Sequence, residues 1–76
     1  MSSSHEDILK RGHTNGFDTL EASIKALREQ INVVKREPTK FDINEIEVDF
    51  KKIETDEKIC RGNSDAYIRY LEYNKR

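Results

Sequence analysis

The chain has 76 residues, of which 34% are hydrophobic and 38% are charged, and its formal net charge is -1. Such a chain forms one domain with a marginal hydrophobic core, and its near-zero charge excludes a strong general attraction to nucleic acid or anionic membrane. One cysteine, Cys60, allows no intramolecular disulfide, and without a signal-peptide core or an apolar run of ~20 residues we expect a cytoplasmic protein.

The first sixteen residues carry weak structural signals. We expect residues 1–16 to be a flexible N-terminal segment with at most a single helical turn over residues 6–11. The sequence Gly-His-Thr-Asn-Gly at residues 12–16 predicts a turn-rich break, because glycine and asparagine tolerate positive φ. Residues 17–76 then form a single helical domain.

A stripe of six apolar residues predicts the first long helix, over residues 17–36. The stripe repeats in steps of three and four, the spacing of a helix that pairs with another helix; it consists of Phe17, Leu20, Ile24, Leu27, Ile31 and Val34. Asp18 followed by Glu21 resembles a capping box at its start, with Thr14 as the alternative N-cap. Pro38 cannot continue the helix, so residues 37–40 are the predicted connection.

The segment after the connection fits two secondary structures. Residues 41–50 alternate apolar and polar as a half-buried strand does. The three-four rhythm of a second helix over residues 42–61 is also present, with Asp42 and Glu45 as a capping box; its members are Ile43, Ile46, Phe50, Ile53 and Cys60, interrupted by Glu57. We favour the helix, because a lone strand would have no partner.

A third, short helix is predicted over residues 64–74, with Gly62 ending the second helix and Ser64 capping the third. This helix places Tyr67, Ile68 and Leu71 on one face. The predicted fold class is all-α: an antiparallel helical hairpin plus a short C-terminal helix, completed as a three-helix bundle or a dimeric four-helix bundle.

Charged residues beside the two apolar stripes favour antiparallel pairing within one chain. Arg28 and Lys35 of the first helix would lie beside Glu47 and Glu54 of the second. A parallel homodimer through the first helix lacks such complementary charge. Each exposed pair contributes only ~0.2 to 1 kcal/mol, so the pairs select an orientation more than they stabilise the fold.

The residues that usually carry catalysis or bind metals do not form a recognisable pattern. His5 and His13 lack the helical spacing of a metal site, and Cys60 has no histidine near it in sequence. Adjacent carboxylates at Asp56 and Glu57 have no pocket-forming context. We therefore predict no enzyme activity, no metal and no cofactor.

The most economical functional prediction is a small protein-protein interaction or regulatory module that acts through its helical surfaces. We expect a protein partner and self-association into a homo-oligomer, and no membrane binding. An acidic column for a basic partner, an off-stripe valine and two tyrosines are the predicted partner-binding residues: Asp42, Asp49, Asp56, Val48, Tyr70 and Tyr73.

The alternative prediction is nucleic-acid binding by the C-terminal segment. A helix, a glycine turn and a second helix would resemble a helix-turn-helix, and tyrosines between basic residues can stack on bases and contact phosphates. The candidate residues are Arg61, Arg69, Tyr70, Lys75 and Arg76. The acidic second helix opposes this reading, because it repels a phosphate backbone.

Overall fold

The computed structural model describes residues 4–75, which form an all-α antiparallel hairpin. Helix α1 spans His5–Arg36 and helix α2 spans Ile43–Tyr73, and a short 3₁₀ turn at Pro38–Lys40 connects them. The two helices pack against each other along their length. The predicted hairpin is therefore confirmed, and residues 43–50 are helical and not a strand.

Helix α1 begins at His5, much earlier than the predicted start at residue 17. Ser4 is its N-cap: the Ser4 hydroxyl accepts a hydrogen bond from the Asp7 backbone N–H at 3.2 Å. Acidic residues in the first turn stabilise the helix, because they interact favourably with the positive end of its dipole. The predicted break at residues 12–16 is wrong, and Asp18 and Thr14, the expected caps, lie inside the helix.

The connection between the helices lies where the sequence predicts it. α1 ends at Arg36, and Pro38 occupies the first position of the 3₁₀ turn, where its missing N–H is no loss. Asp42 caps α2 as expected, because its carboxylate accepts a hydrogen bond from the Asn44 backbone N–H at 2.9 Å. The N-cap of the second helix is thus correctly predicted.

The predicted third helix is the C-terminal part of α2, which runs without interruption from Ile43 to Tyr73. Gly62 does not end the helix, and Ser64 is not an N-cap. None of the three glycines has a positive φ. The interruption predicted from local glycine signals is overruled by packing along α1, which supports the helix on both sides of Gly62.

The hairpin is long and only one layer thick. Its principal extents are 57 × 19 × 15 Å and its radius of gyration is 17.2 Å. A compact domain of this length would have a radius of gyration of about 11 Å. Domains are normally built from two packed layers of secondary structure around one hydrophobic core. Here one face of each helix has a partner and the rest of its circumference faces outward.

Candidate interaction site

The contact between α1 and α2 is built from small and polar side chains. Among residues 4–75 the four buried residues are Gly16 and Ser23 on α1 and Asp56 and Cys60 on α2. An added Cβ at Gly16 would lie 3.1 Å from the Cys60 Cα atom. The two backbones therefore approach closely at this level, and Gly16 is the residue that permits it.

A buried hydrogen bond joins the helices at their centre. The Ser23 hydroxyl donates to Asp56 Oδ2 with both residues buried. A buried carboxylate without a donor is costly, so this pair matches one level of α1 to one level of α2. The acidic column predicted for a basic partner requires Asp56 to be accessible, but its side chain is buried between the helices.

Further polar contacts fix the relative position of the two helices toward the open end of the hairpin. The Asn63 amide donates to the Gly12 backbone carbonyl at 3.1 Å, and His13 Nδ1 lies 2.8 Å from the Ser64 hydroxyl. The His13 ring also packs edge-on against Phe17, with ring centroids 5.1 Å apart. These contacts place Ser64 in the seam between the helices.

The predicted apolar stripe of α1 is only half used inside the hairpin. Leu20, Leu27 and Val34 are partly buried against α2. The alternate members of the stripe, Phe17, Ile24 and Ile31, are 40–50% exposed. The other half of the seam on α1 consists of Gly16, Ser23 and Gln30. The side of α1 that faces α2 therefore includes small and polar residues in place of Phe17, Ile24 and Ile31.

Helix α2 repeats this arrangement. Ile46 and Ile53 are partly buried, whereas Ile43 and Phe50 are at least half exposed. Each of the exposed stripe residues directly follows a residue of the seam. In an antiparallel pair, such positions on the two helices lie on the same side of the hairpin. The side-by-side position of His13, Phe17 and Ser64 fits this geometry.

The exposed members of both stripes therefore lie on one broad side of the hairpin, and the surface that they form is here named the apolar face. It is completed near the end of α2 by two further exposed apolar residues. The residues of the apolar face are Phe17, Ile24, Ile31, Ile43, Phe50, Ile68 and Leu71. Glu57 interrupts it and forms an ion pair with Arg61 of the same helix.

The opposite side of the hairpin is more polar. Gln30 Nε2 donates to Glu45 Oε2 at 2.9 Å there. The large exposed apolar residues of this side include Val48, Ile59 and Tyr73 on α2 and Ile8 near the start of α1. They do not form a stripe along α1. The hairpin thus has one apolar broad side and one mixed side.

The acidic column predicted as a partner-binding site does not form a continuous exposed surface. Asp42 is exposed and caps α2, Asp49 is partly buried, and Asp56 is buried. The three carboxylates follow the seam and not an outer row. Of the other predicted partner-binding residues, Val48 and Tyr73 are strongly exposed, at 65% and 77%.

The residues predicted for nucleic-acid binding are also dispersed. Tyr70 is partly buried, and its ring packs against His5 with centroids 5.6 Å apart. Arg61 is paired with Glu57, whereas Arg69 and Lys75 are exposed. Arg76 lies outside the described residues. The helix-turn-helix layout expected around Gly62 is absent because α2 is continuous there.

The charge pairs predicted between the helices are not formed. Within residues 4–75, Arg61 with Glu57 is the one ion pair closer than 4.0 Å. Arg28 and Lys35 project along the edge of the apolar face on α1, and Glu47 and Glu54 along its edge on α2. The antiparallel orientation is correct, but the seam selects it through other contacts.

Comparison with protein-family models, curated proteins and solved structures gives no match. Over the described part of the chain, no three histidine, cysteine or acidic side chains lie close enough to hold a metal ion. Neither helix has a stretch apolar enough to cross a bilayer between residues 4 and 75.

Proposed function

We propose that this protein is a small non-enzymatic interaction or regulatory module that acts through its helical surfaces and self-associates. The observation that supports the proposal is the exposure of large apolar side chains on a hairpin one layer thick. Seven of them are gathered on the apolar face and are 40–57% exposed. Contiguous apolar patches on a protein surface mark interaction sites.

The composition of the seam between the helices also supports the proposal, because the seam buries few apolar side chains. Cys60 is the one buried hydrophobic residue among residues 4–75, and the remaining buried positions are glycine, serine and aspartate. Burial of apolar area is the main favourable term in folding. The interior of this hairpin consists of small and polar groups and buries little apolar area. The hairpin would therefore gain stability if a partner covered its exposed apolar side chains.

Val48 and Tyr73 remain candidates for contact with a different protein. Both are strongly exposed and neither belongs to the apolar face. Tyrosine is enriched in protein interfaces because its ring adds apolar area while its hydroxyl stays solvated. In this proposal self-association uses one side of the hairpin and leaves these residues available.

The experiment that tests the proposal is thermal unfolding at several protein concentrations, monitored by far-UV circular dichroism. A tenfold increase in concentration stabilises a dimer by about 1.4 kcal/mol, which raises Tm by roughly 3 to 6 °C. A Tm that does not depend on concentration, together with a monomeric mass in light scattering, would contradict the proposed self-association.

A further inference from the structure

We infer that the occupant of the apolar face is the apolar face of a second copy of this chain, so that two hairpins form a four-helix bundle. This inference rests on the proposed self-association and adds the surface through which it occurs. It assigns Phe17, Ile24, Ile31, Ile43 and Phe50 to the centre of the dimer interface.

The first argument is the area that the hairpin leaves exposed. Its accessible surface is 6184 Å². A compact monomer of this mass would expose about 4,800 Å². The excess of roughly 1,400 Å² exceeds the ~800 Å² that each partner contributes to a standard stable interface. The hairpin therefore exposes enough additional surface to supply one side of a stable dimer.

The second argument is that the partly buried half of each stripe adjoins the exposed half. Leu20 and Leu27 on α1, like Ile46 and Ile53 on α2, are only partly buried by the partner helix. A groove along α1 is lined by Phe17, Leu20 and Ile24 together. A second layer on this side would bury both halves of each stripe at once, which is the core arrangement of a four-helix bundle.

The third argument identifies the occupant as a second copy. A twofold dimer uses the same patch on both subunits, so that patch has to be self-complementary. The edges of the apolar face carry three basic and three acidic side chains: Arg28, Lys35, Arg61, Glu21, Glu47 and Glu54. An edge of one sign would repel a second copy, whereas this balanced edge offers opposite charges to it.

The test is sedimentation velocity over a range of protein concentrations with two matched substitutions. Ile24→Lys places a charge at the centre of the apolar face, and Ile59→Lys places the same charge on the opposite side of the hairpin. Both residues are exposed isoleucines in the interior of a long helix. Phe50→Lys and Val48→Lys form a second matched pair within α2.

We expect wild type to dimerise and Ile24→Lys to raise the dissociation constant about a hundredfold or more, because both copies lose a buried isoleucine. Ile59→Lys is expected to change it less than about threefold. Phe50→Lys and Val48→Lys should differ in the same direction. Far-UV circular dichroism of each variant checks that its helices are intact.

A measurement on the wild-type chain covers the case in which a variant fails to fold. In a mixture of isotope-labelled and unlabelled chains, intermolecular nuclear Overhauser effects should reach the methyl groups of Ile24 and Ile31 and not those of Ile59. Effects confined to Ile59 would overturn the inference and leave the proposed self-association intact. A wild-type chain that stays monomeric and helical would overturn both.

Discussion

Gly16 provides the sharpest test of the hairpin geometry, because Gly62 in the same protein serves as its control. Both glycines lie inside long helices with ordinary helical φ. Replacement of Gly62 by alanine meets no atom within 4 Å, so helix propensity should stabilise the protein by about 1 kcal/mol. The same replacement at Gly16 puts its Cβ 3.1 Å from the Cys60 Cα atom.

A contact of 3.1 Å is shorter than the optimum of about 3.5 to 4.0 Å between carbon atoms. The atom that would have to move belongs to the backbone of α2, so the helices themselves must separate. Gly16→Leu directs three further carbon atoms into the same space. Overpacking of this kind costs about 1 to 3 kcal/mol, whereas Gly62→Leu projects outward at no such cost.

The comparison is made by urea unfolding of Gly16→Leu and Gly62→Leu at one protein concentration, monitored by far-UV circular dichroism. The helix-propensity gain is the same in both variants and cancels, so the difference of about 1 to 3 kcal/mol in unfolding free energy measures the close approach. Sedimentation of both variants controls for altered association. Equal stability of the two variants would refute the close packing of α1 against α2 at Gly16.

Three further predictions address the seam, the apolar face and the alternative function. Ser23→Ala should lower the unfolding free energy by about 1 to 3 kcal/mol, because Asp56 loses its buried donor; a change below about 0.5 kcal/mol in urea unfolding would mean that Asp56 is solvated. Glu57→Leu should tighten self-association at least about tenfold by extending the apolar face, and an unchanged dissociation constant in sedimentation equilibrium would contradict that face. We expect no salt-dependent binding of DNA or RNA oligonucleotides; binding that is lost in an Arg69→Ser, Lys75→Ser variant would favour nucleic-acid recognition instead.

Much of the hairpin follows from sequence signals that act locally. Pro38 cannot continue a helix, and Asp42 offers a side-chain acceptor to the first turn of the next one. The three-four rhythm of apolar residues then predicts two helices. These features concern single helices or their ends, so they can be derived without knowledge of what packs where.

The glycines show where local reasoning fails. Gly12, Gly16 and Gly62 each predict a break in a helix, because glycine is a strong signal for turns and helix ends. Gly16 serves a different purpose, since it lets α2 approach, and this purpose is visible only once Cys60 lies opposite it. The seven-residue spacing of Gly16 and Ser23, two small residues, is the sequence signal that could have indicated a close helix contact.

The apolar stripes also have to be interpreted differently once the structure is known. A stripe shows which side of a helix is to be covered, but it does not show what covers it. In this hairpin the intrachain seam is shifted by about one residue from each stripe, toward Ser23 on α1 and Asp56 on α2. That shift moved Asp56 from a predicted surface site to the interior.

The polar seam determines how the two helices are aligned, which an apolar stripe does not. An apolar stripe that repeats every seven residues fits equally well after a slip of seven, so it cannot by itself align two helices. The seam can. A slip in one direction sets Asp56 against Gly16, where no side-chain donor is present, and brings Leu9 against Cys60, where the backbones require a small residue.

A slip of seven residues in the other direction sets Asp56 against Gln30 and Cys60 against Ser23. The amide of Gln30 could then donate to Asp56, but the Ser23 Cβ would take the place where a Cβ added at Gly16 would lie only 3.1 Å from the Cys60 Cα atom. Both alternatives thus lose a contact that the native register satisfies. The small and polar seam therefore specifies one hairpin without the exposed members of the apolar stripes, which are the residues that we propose for self-association.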